Sequence, residues 1–269
     1  MLLEGKRALI FGVANKRSIA WAIAQALRRE GAELAFTFQG ERVESTVRDL
    51  AATVGSDLVF PCDVQDDAQT DLVFRGVSDA WGGGLDILIH SLAFTPHEEL
   101  ENPYLHSKRE NWLLTMDVSA YSLVALARRA EPLMRARGGS IITMTFNGSQ
   151  RATPHYNTMG IAKAALEASV RYLAADLGPQ GIRVNAISAG PMRTLAGSAI
   201  GSARYVYRTS RQLAPLRMNV DLENLGGAGL YLLSDLSAGT TGEVHYVDAG
   251  YNIIGMPRPD SLNNNASED

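Results

Sequence analysis

Residues 145–163, TFNGSQRATPHYNTMGIAK, decide how the sequence is interpreted. They follow a predicted strand that begins at Ser140 and open an alanine-rich pattern that predicts a helix over 156–177. Tyr156 and Lys163 are seven residues apart, about two helical turns, so both side chains are expected on one helix face. Because helical side chains lean toward the N-terminus, the Lys163 stem should reach back toward Tyr156. A phenol beside a fixed ammonium can donate a hydrogen bond to a developing enolate or alkoxide, which makes the pair a candidate catalytic site.

Short apolar runs alternate with helical patterns along the rest of the chain. Strands are predicted at 7–11, 33–38, 57–60, 85–89, 140–145, 182–187 and 243–247. Helices are predicted at 18–30, 41–53, 66–81, 110–134, 156–177 and 222–233. Strands that alternate with helices indicate right-handed crossovers. We therefore expect an α/β, single-domain, doubly wound Rossmann fold whose seven-stranded parallel sheet carries helices on both faces.

The domain organisation follows from the same pattern. No linker or internal repeat interrupts residues 1–256, which are expected to form one dinucleotide-binding reductase domain. Residues 194–217 are too long for an ordinary connection between a strand and the last helix, so they predict a substrate lid. Residues 257–269, PRPDSLNNNASED, have the composition of a disordered tail.

Composition excludes several classes of protein. The chain has 269 residues, and its 46% hydrophobic and 20% charged fractions are ordinary for a globular domain. A net charge of −4 gives no overall attraction to nucleic acid or to an anionic membrane, so neither partner is expected. One cysteine, Cys62, and histidines without ligand spacing predict no disulfide and no metal. No apolar run is long enough to span a membrane and no signal peptide is visible, so a cytoplasmic protein is expected.

The first predicted strand leads into a loop suited to a phosphate group. Gly12 follows the strand, and a short polar loop leads to Ser18 and Ile19 at the start of a helix, with Ser18 as the expected cap. Backbone N–H groups and the helix dipole make such a turn an anion site. The full G-x-G-x-x-G fingerprint is absent, and an ordinary strand-to-helix turn is the alternative.

The next two strand ends bear on the nucleotide. Gln39 can hydrogen-bond a ribose hydroxyl without carrying charge, while Glu41 argues against a 2′-phosphate and Arg42 argues for one. Asp63 offers an acceptor to an adenine amino group, and Val64 offers an apolar wall. The alternative for Asp63 is a cap on the helix that follows.

Two later segments complete the candidate nucleotide site, and one motif competes with it. Ser91 and Leu92 follow the fourth strand, where small residues let the chain pass close to a cofactor. Residues 192–194 follow a Gly-Pro turn and are placed to bracket the nicotinamide end, with a simple turn as the alternative. Tyr104 and Lys108 fit a Tyr-x-x-x-Lys spacing, but they lie in a polar stretch before the long helix rather than after the fifth strand.

Together these residues resemble the short-chain dehydrogenase/reductase superfamily, and more narrowly its enoyl-acyl-carrier-protein reductase branch of bacterial fatty acid synthesis. The distinguishing marks are the motif Gly12-x5-Ser18-x-Ala20 and the Tyr156-x6-Lys163 spacing, where ordinary members have Tyr-x-x-x-Lys. Further matching blocks are 31–39, 62–64, 90–91, 156–163, 172–179, 183–196 and 234–239. The resemblance covers nearly the whole chain up to about residue 255.

The resemblance implies a homotetramer that uses NADH, with NADPH possible, to reduce the double bond of a trans-2-enoyl thioester bound to acyl carrier protein. It assigns Tyr156 to steadying the enolate and Lys163 to holding the nicotinamide ribose, and it implies substrate contacts at Thr95, Phe146 and Tyr156. The cofactor residues that it implies are Gly12, Ser18, Ile19, Gln39, Asp63, Val64, Ser91, Leu92, Lys163, Met192, Arg193, Thr194, Leu195 and Ala196.

The sequence departs from the branch around the expected acyl pocket. Phe146 stands where many bacterial members have a second tyrosine, and Thr95 replaces a smaller residue. The lid residues 205–207 also differ from those of better-known members. These changes predict that this protein prefers an acyl chain atypical for the branch. Two rival functions stay open: a short-chain carbonyl or alcohol oxidoreductase, and a catalytically silent nucleotide-binding regulator.

The predicted lid also carries a cluster of arginines. They are Arg204, Arg208, Arg211 and Arg217. A solvated face is the ordinary interpretation of such a cluster. The alternative is that the arginines attract the acidic carrier protein, because complementary charge raises the rate of encounter.

Overall fold

The computed structural model describes residues 1–194 and 202–256. Its strands are β1 Arg7–Phe11, β2 Glu33–Phe38, β3 Val59–Pro61, β4 Ile87–His90, β5 Gly139–Thr145, β6 Ile182–Ala189 and β7 Val244–Val247. All neighbouring pairs are parallel, and the order is β3-β2-β1-β4-β5-β6-β7. The order reverses between β1 and β4, the point at which doubly wound sheets bind their ligands. The predicted fold class is confirmed.

Helices cover both faces of the sheet. They are α1 Ile19–Arg29, α2 Glu41–Thr53, α3 Asp67–Trp81, α4 Glu98–Glu101, α5 Arg109–Met116, α6 Ser122–Met134, α7 Asn157–Leu177, α8 Ala203–Leu213 and α9 Leu222–Leu233. The sequence pattern did not predict α8, which lies inside the segment proposed as a lid. The predicted tail, 257–269, lies outside the described residues, as do residues 195–201.

The apolar core forms two layers because side chains alternate along each strand. Ala8 and Ile10 of β1 belong to a cluster that includes α1, α2 and α9. Leu9 and Phe11 point to the other face and belong to a cluster that includes α3, α6 and α7. Burial on both faces explains why the strand reads as a continuous apolar run.

The single helix predicted over 110–134 is wrong in one respect. A π-helical segment, Asp117–Tyr121, separates α5 from α6. This segment and the first residue of α6 turn two hydroxyls toward the end of β4: Ser119 Oγ bonds the backbone of Phe94, and Ser122 Oγ bonds His90 Nε2 at 2.8 Å. Such bulges often mark functional sites, and hydrophobic periodicity alone does not reveal them.

No helix in the described ranges 1–194 and 202–256 is both long and apolar enough to cross a membrane. Over the same residues, no group of three or more histidine, cysteine, aspartate or glutamate side chains is arranged to hold a metal ion.

Candidate active site

The carboxyl ends of parallel strands meet at one edge of a sheet, and this edge gathers the predicted cofactor residues. Phe11 of β1 pairs with His90 of β4, so the residues that follow, Gly12 and Ser91, lie side by side. Gly12 has φ +102°, and a Cβ at that position would overlap the Ser91 carbonyl oxygen. The crevice between β1 and β4 therefore requires glycine at this position, although the three-glycine fingerprint is absent.

Ser18 does not cap α1 as predicted. Its hydroxyl accepts hydrogen bonds from the backbone N–H groups of Ala14 and Asn15, at 3.0 and 3.1 Å, and thereby orders the loop before the helix. It accepts none from the first turn of α1, which begins at Ile19. The N-terminal N–H groups of that turn can instead bind an anion, as a pyrophosphate site requires.

The structure after β3 shows whether Asp63 caps the following helix or is available to a nucleotide, the two roles that the sequence left open. Asp66, not Asp63, caps α3, because its carboxylate accepts from the backbone of residues 68 and 69. Within residues 1–194 and 202–256, the Asp63 carboxylate accepts only the local bond from the Gln65 N–H, at 3.0 Å. Val64 packs against the core beside it. The alternative that Asp63 caps the helix is wrong, and its carboxylate remains a candidate for an adenine amino group.

The remaining predicted cofactor residues that the structure describes lie along the same edge. Gln39 is exposed at the end of β2, and Leu92 packs against the core after β4. After β6, Met192 packs against the core, and the Arg193 guanidinium lies over the ring of Tyr207, 4.7 Å from its centroid. Thr194 is the last residue described before the gap at 195–201, so the predictions for Leu195 and Ala196 lie outside the described residues.

Tyr156 lies just before α7 rather than within it. The residues on either side, His155 and Asn157, have φ values of +60° and +43°, a left-handed conformation that costs energy in any residue except glycine. Tyr156 is the N-cap residue of α7, and its carbonyl oxygen accepts a hydrogen bond from the Met159 N–H at 3.0 Å. The left-handed Asn157 separates it from the regular helix, so a shared helix face with Lys163 stays a prediction. Strain on both sides of one residue is typical of a functional site, where it fixes the orientation of a side chain.

Contacts with the segment after β4 hold this strained turn. The Asn157 amide donates to the carbonyls of Glu99 and Asn102 at 3.0 and 2.9 Å, and His155 Nδ1 donates to the carbonyl of Leu100 at 3.0 Å. His155 is accordingly an anchoring loop residue rather than a base. The side chains flanking Tyr156 fix its backbone to the region around α4.

The Tyr156 side chain is 7% exposed, and the ring of Phe146 packs edge-on against it with centroids 5.0 Å apart. Burial, together with the negative charge of Glu167, raises the pKa of Tyr156 above its usual range. The phenol therefore stays protonated at neutral pH and acts as a hydrogen-bond donor.

Lys163 is 4% exposed, and its Nζ donates to the carbonyl of Met144 at 2.8 Å. Burial lowers the pKa of Lys163 to about 8, and the nearby charge of Glu167 acts in the opposite direction. The ammonium therefore lies at the carboxyl end of β5. A buried cation with few partners at a ligand-binding edge is well suited to hydroxyl groups of a ligand.

Of the predicted substrate residues, Phe146 lies against Tyr156, and Thr95 follows the partly exposed Phe94. The Thr95 hydroxyl forms a hydrogen bond with the hydroxyl of Thr115 at 2.7 Å. This bond ties the segment after β4 to α5 and so stiffens it.

The rival Tyr-x-x-x-Lys motif lies on the surface. Tyr104 opens a short 3₁₀ helix and is 47% exposed. Lys108 Nζ donates to Glu98 Oε2 at 2.8 Å, and this bond raises the pKa of the lysine. Tyr104 therefore faces solvent, and Lys108 is engaged in an ion pair with Glu98.

Sequence analysis missed two buried acids beside Tyr156. Glu99, 4% exposed, accepts hydrogen bonds from Asn111 Nδ2 at 3.0 Å and from Thr158 Oγ1 at 2.9 Å. Glu167, 1% exposed, lies one helical turn after Lys163. The available signal was a single acid in the alanine-rich, otherwise uncharged stretch that follows Lys163.

A doubly wound parallel sheet, a glycine-lined first loop, and a buried tyrosine and lysine at the carboxyl edge define the class of Rossmann-fold, dinucleotide-binding reductases. The family model described as Enoyl-(Acyl carrier protein) reductase matches residues 12–252. The chain belongs to this enoyl-(acyl carrier protein) reductase family.

Individual relatives match over nearly their whole length. The chain is 52% identical over 97% of its length to enoyl-(acyl-carrier-protein) reductase (NADH) 2 of Rhizobium meliloti, and covers 97% of that protein. Among solved structures, FabI from Candidatus Liberibacter asiaticus has a TM-score of 0.93 at 50% identity, covering 96% of this chain and 99% of that one. A reductase from Anaplasma phagocytophilum in complex with NAD has a TM-score of 0.92 at 49% identity, with coverages of 96% and 98%.

Proposed function

We propose that this protein is an NADH-dependent enoyl-acyl-carrier-protein reductase of fatty acid synthesis. The observation that carries the proposal is the placement of Tyr156 and Lys163: both are buried at the carboxyl edge of the sheet, and they have the spacing of the enoyl reductase branch. The relatives at about half identity bear names of this activity with NADH.

The residues at the sheet edge fit a dinucleotide. Gly12 leaves room at the β1–β4 crevice where a side chain would not fit, and the first turn of α1 offers N–H groups to phosphate. Asp63 and Val64 would receive the adenine, and Gln39 the adenosine ribose. NADH, when bound, supplies a hydride to C3 of the enoyl thioester.

The chain's own side chains orient and polarise the substrate. A protonated Tyr156 donates a hydrogen bond to the thioester oxygen, which becomes more negative as the enolate forms, so the bond is stronger in the transition state than in the ground state. The Lys163 ammonium holds the nicotinamide ribose. Phe146 supplies an apolar edge that packs on the Tyr156 ring but donates no hydrogen bond.

A spectrophotometric assay tests this function. Loss of the reduced-nicotinamide absorbance is followed with a trans-2-enoyl thioester, with NADH or NADPH, and with a 3-ketoacyl thioester in parallel. We expect turnover of the enoyl substrate alone, with NADH preferred by about tenfold or more, because Gln39 is uncharged and Glu41 repels a 2′-phosphate. Turnover of the keto substrate would favour a carbonyl reductase, and tight NADH binding without turnover would favour a silent regulator.

Residues 194–217 are proposed as the substrate lid. Their helix, α8, presents Arg204, Arg208 and Arg211 at spacings of four and three residues, which places all three exposed guanidinium groups on one face. Arg217 differs, because its guanidinium donates to the carbonyl of Gln212. The face of α8 is proposed to meet the acidic acyl carrier protein that delivers the enoyl chain.

Charge reversal on α8 tests the carrier-protein contact. Arg204→Glu combined with Arg208→Glu is expected to raise KM for the carrier-protein substrate about fivefold or more at low salt, because encounter is steered by charge. KM for the coenzyme A substrate should stay unchanged. The matched control, Arg29→Glu with Arg75→Glu, makes the same charge change at exposed sites on α1 and α3. Equal effects on both substrates would argue against the docking face.

Assembly as a homotetramer is proposed from the surface of the helices that follow β4 and β5. Leu113 of α5 and Tyr121 of the π-helical segment are 55% and 50% exposed. On α7, Ile161 and Tyr172 are 42% and 76% exposed, and their spacing of eleven residues places them on one face. Large exposed apolar side chains arranged in this way favour association between copies. We further propose that the protein works in the cytoplasm and that residues 1–256 form its one domain.

A further inference from the structure

Glu167 is a buried carboxylate that the proposed reaction does not use. Its Oε1 accepts hydrogen bonds from Thr145 Oγ1 at 2.7 Å and from Ser149 Oγ at 2.5 Å, and its Oε2 accepts one from Gln150 Nε2 at 2.7 Å. The side chain is 1% exposed. A buried carboxylate is costly unless it is well paired, so an acid retained at this position requires an explanation.

The three donors lie in one segment, residues 145–150, which joins β5 to the turn before Tyr156. The same segment carries Phe146, whose ring packs edge-on against Tyr156. Glu167 belongs to α7, as does Lys163 one turn earlier. The carboxylate therefore ties the segment that supports the Tyr156 ring to the helix that carries the lysine.

Lys163 and Glu167 form hydrogen bonds with neighbouring residues of β5. The ammonium donates to the carbonyl of Met144, and the carboxylate accepts from the hydroxyl of Thr145. Both of these residues pair with β6, at Ile187 and Ser188, so the end of the strand is fixed from two sides. A shift of either side chain would move the carboxyl end of β5.

Three titratable groups near the pair, His90, Tyr156 and Tyr246, are neutral. Burial, and then the charge of Lys163, lowers the pKa of His90 to about 3, so this ring on β4 stays uncharged. Burial, and then the charge of Glu167, raises the pKa values of Tyr156 and of Tyr246 on β7. Lys163 and Glu167 are therefore the charges that act on His90 and on Tyr156, while Asp248 and Arg151 also act on Tyr246.

We propose that Glu167 is a positioning residue: its carboxylate holds residues 145–150 against Tyr156, and its negative charge keeps Lys163 cationic for the cofactor. The inference rests on the proposed role of Lys163 in binding NADH. Its geometric part follows from the three hydrogen bonds, and its electrostatic part from the placement of both groups in the protein interior. An amide at position 167 would lose the charge, and its NH2 end would place donors where one carboxylate oxygen now accepts hydrogen bonds.

The electrostatic part predicts a pH dependence of NADH affinity. The ammonium is present below its pKa of about 8 in the unliganded protein, so affinity should fall as pH rises through that value. Glu167 raises the pKa of Lys163, and Glu167→Gln should move this midpoint down by about one pH unit. Affinity at about pH 6, where Lys163 is charged in both proteins, should change little.

The test measures NADH affinity by fluorescence between about pH 6 and about pH 9.5, together with kcat at pH 6. The first variant is Glu167→Gln. The second, called the swap, combines Glu167→Gln with Gln150→Glu; it exchanges the amide and the carboxylate and places the charge on the exposed loop. Glu131→Gln, at a partly buried carboxylate paired with Arg135, is the control. We expect Glu167→Gln to lower kcat about tenfold and to shift the midpoint; the swap should recover kcat to within about twofold but leave the midpoint low.

Two results would overturn the proposal: wild-type kcat and midpoint in Glu167→Gln, or a lowered kcat with an unmoved midpoint that the swap does not recover. The second would leave Glu167 a packing role only. If Glu167→Gln does not fold, Thr145→Val with Ser149→Ala removes two donors and keeps the charge. It should lower kcat about threefold without moving the midpoint, and an unchanged kcat would contradict the geometric part. Lys163→Met with undiminished NADH affinity would instead refute the proposed role of Lys163 itself.

Discussion

Replacing Tyr156 with phenylalanine is expected to lower kcat for the enoyl thioester about 10²-fold, with the dissociation constant of NADH changed less than about twofold. The buried phenol is protonated at neutral pH, so it acts by donating a hydrogen bond to the oxygen on which negative charge develops. Phenylalanine keeps the ring and its edge-on contact with Phe146, which removes the donor while preserving the packing. Stopped-flow single turnovers separate the chemical step from product release.

Tyr104→Phe is the matched control, since it removes a phenol from the rival motif on the surface. It should leave kcat, KM and NADH affinity at wild-type values. If Tyr104→Phe slowed turnover and Tyr156→Phe did not, the catalytic assignment would move to the segment before α5. If Tyr156→Phe weakened NADH binding instead, the ribose contact proposed for Lys163 would belong to the phenol.

Replacing Lys163 with methionine is expected to raise the dissociation constant of NADH by about ten- to a hundredfold. A hydrogen bond to a charged group contributes about 1.5–3 kcal/mol, and about 1.4 kcal/mol corresponds to a factor of ten in affinity. Methionine fills the space of the lysine stem, so the change removes mainly the ammonium. Isothermal titration at about pH 7, below the Lys163 pKa of about 8, measures the binding step alone.

The same variant leaves the Glu167 carboxylate buried without its cation and deprives the Met144 carbonyl of a donor. We therefore expect the unliganded protein to be less stable, and the titration must be made well below its melting temperature. Lys108→Met, at the exposed lysine paired with Glu98, is the control and should leave both NADH affinity and stability at wild-type values. Unaltered NADH affinity in Lys163→Met would contradict the assignment of the ribose contact.

Much of the site could be predicted from local sequence because it is made at the ends of strands. A strand end followed by glycine, or by an acid and an apolar residue, can be recognised in the sequence itself. Gly12, Asp63 and Val64 were predicted as cofactor residues from such patterns. Capping roles were less predictable. Ser18 and Asp66 each accept two backbone N–H bonds, and sequence spacing did not show that the first serves a loop and the second a helix.

The sequence by itself determined the alternation of strands and helices, and thereby the parallel sheet, because burial on both faces leaves a continuous apolar signal in each strand. It also determined the spacing of Tyr156 and Lys163. Only the tertiary structure decided how these residues are held: the left-handed turn at His155 and Asn157, and the buried acids Glu99 and Glu167. These features depend on hydrogen bonds between residues 9 to 59 positions apart in the chain, and no local pattern encodes such partners.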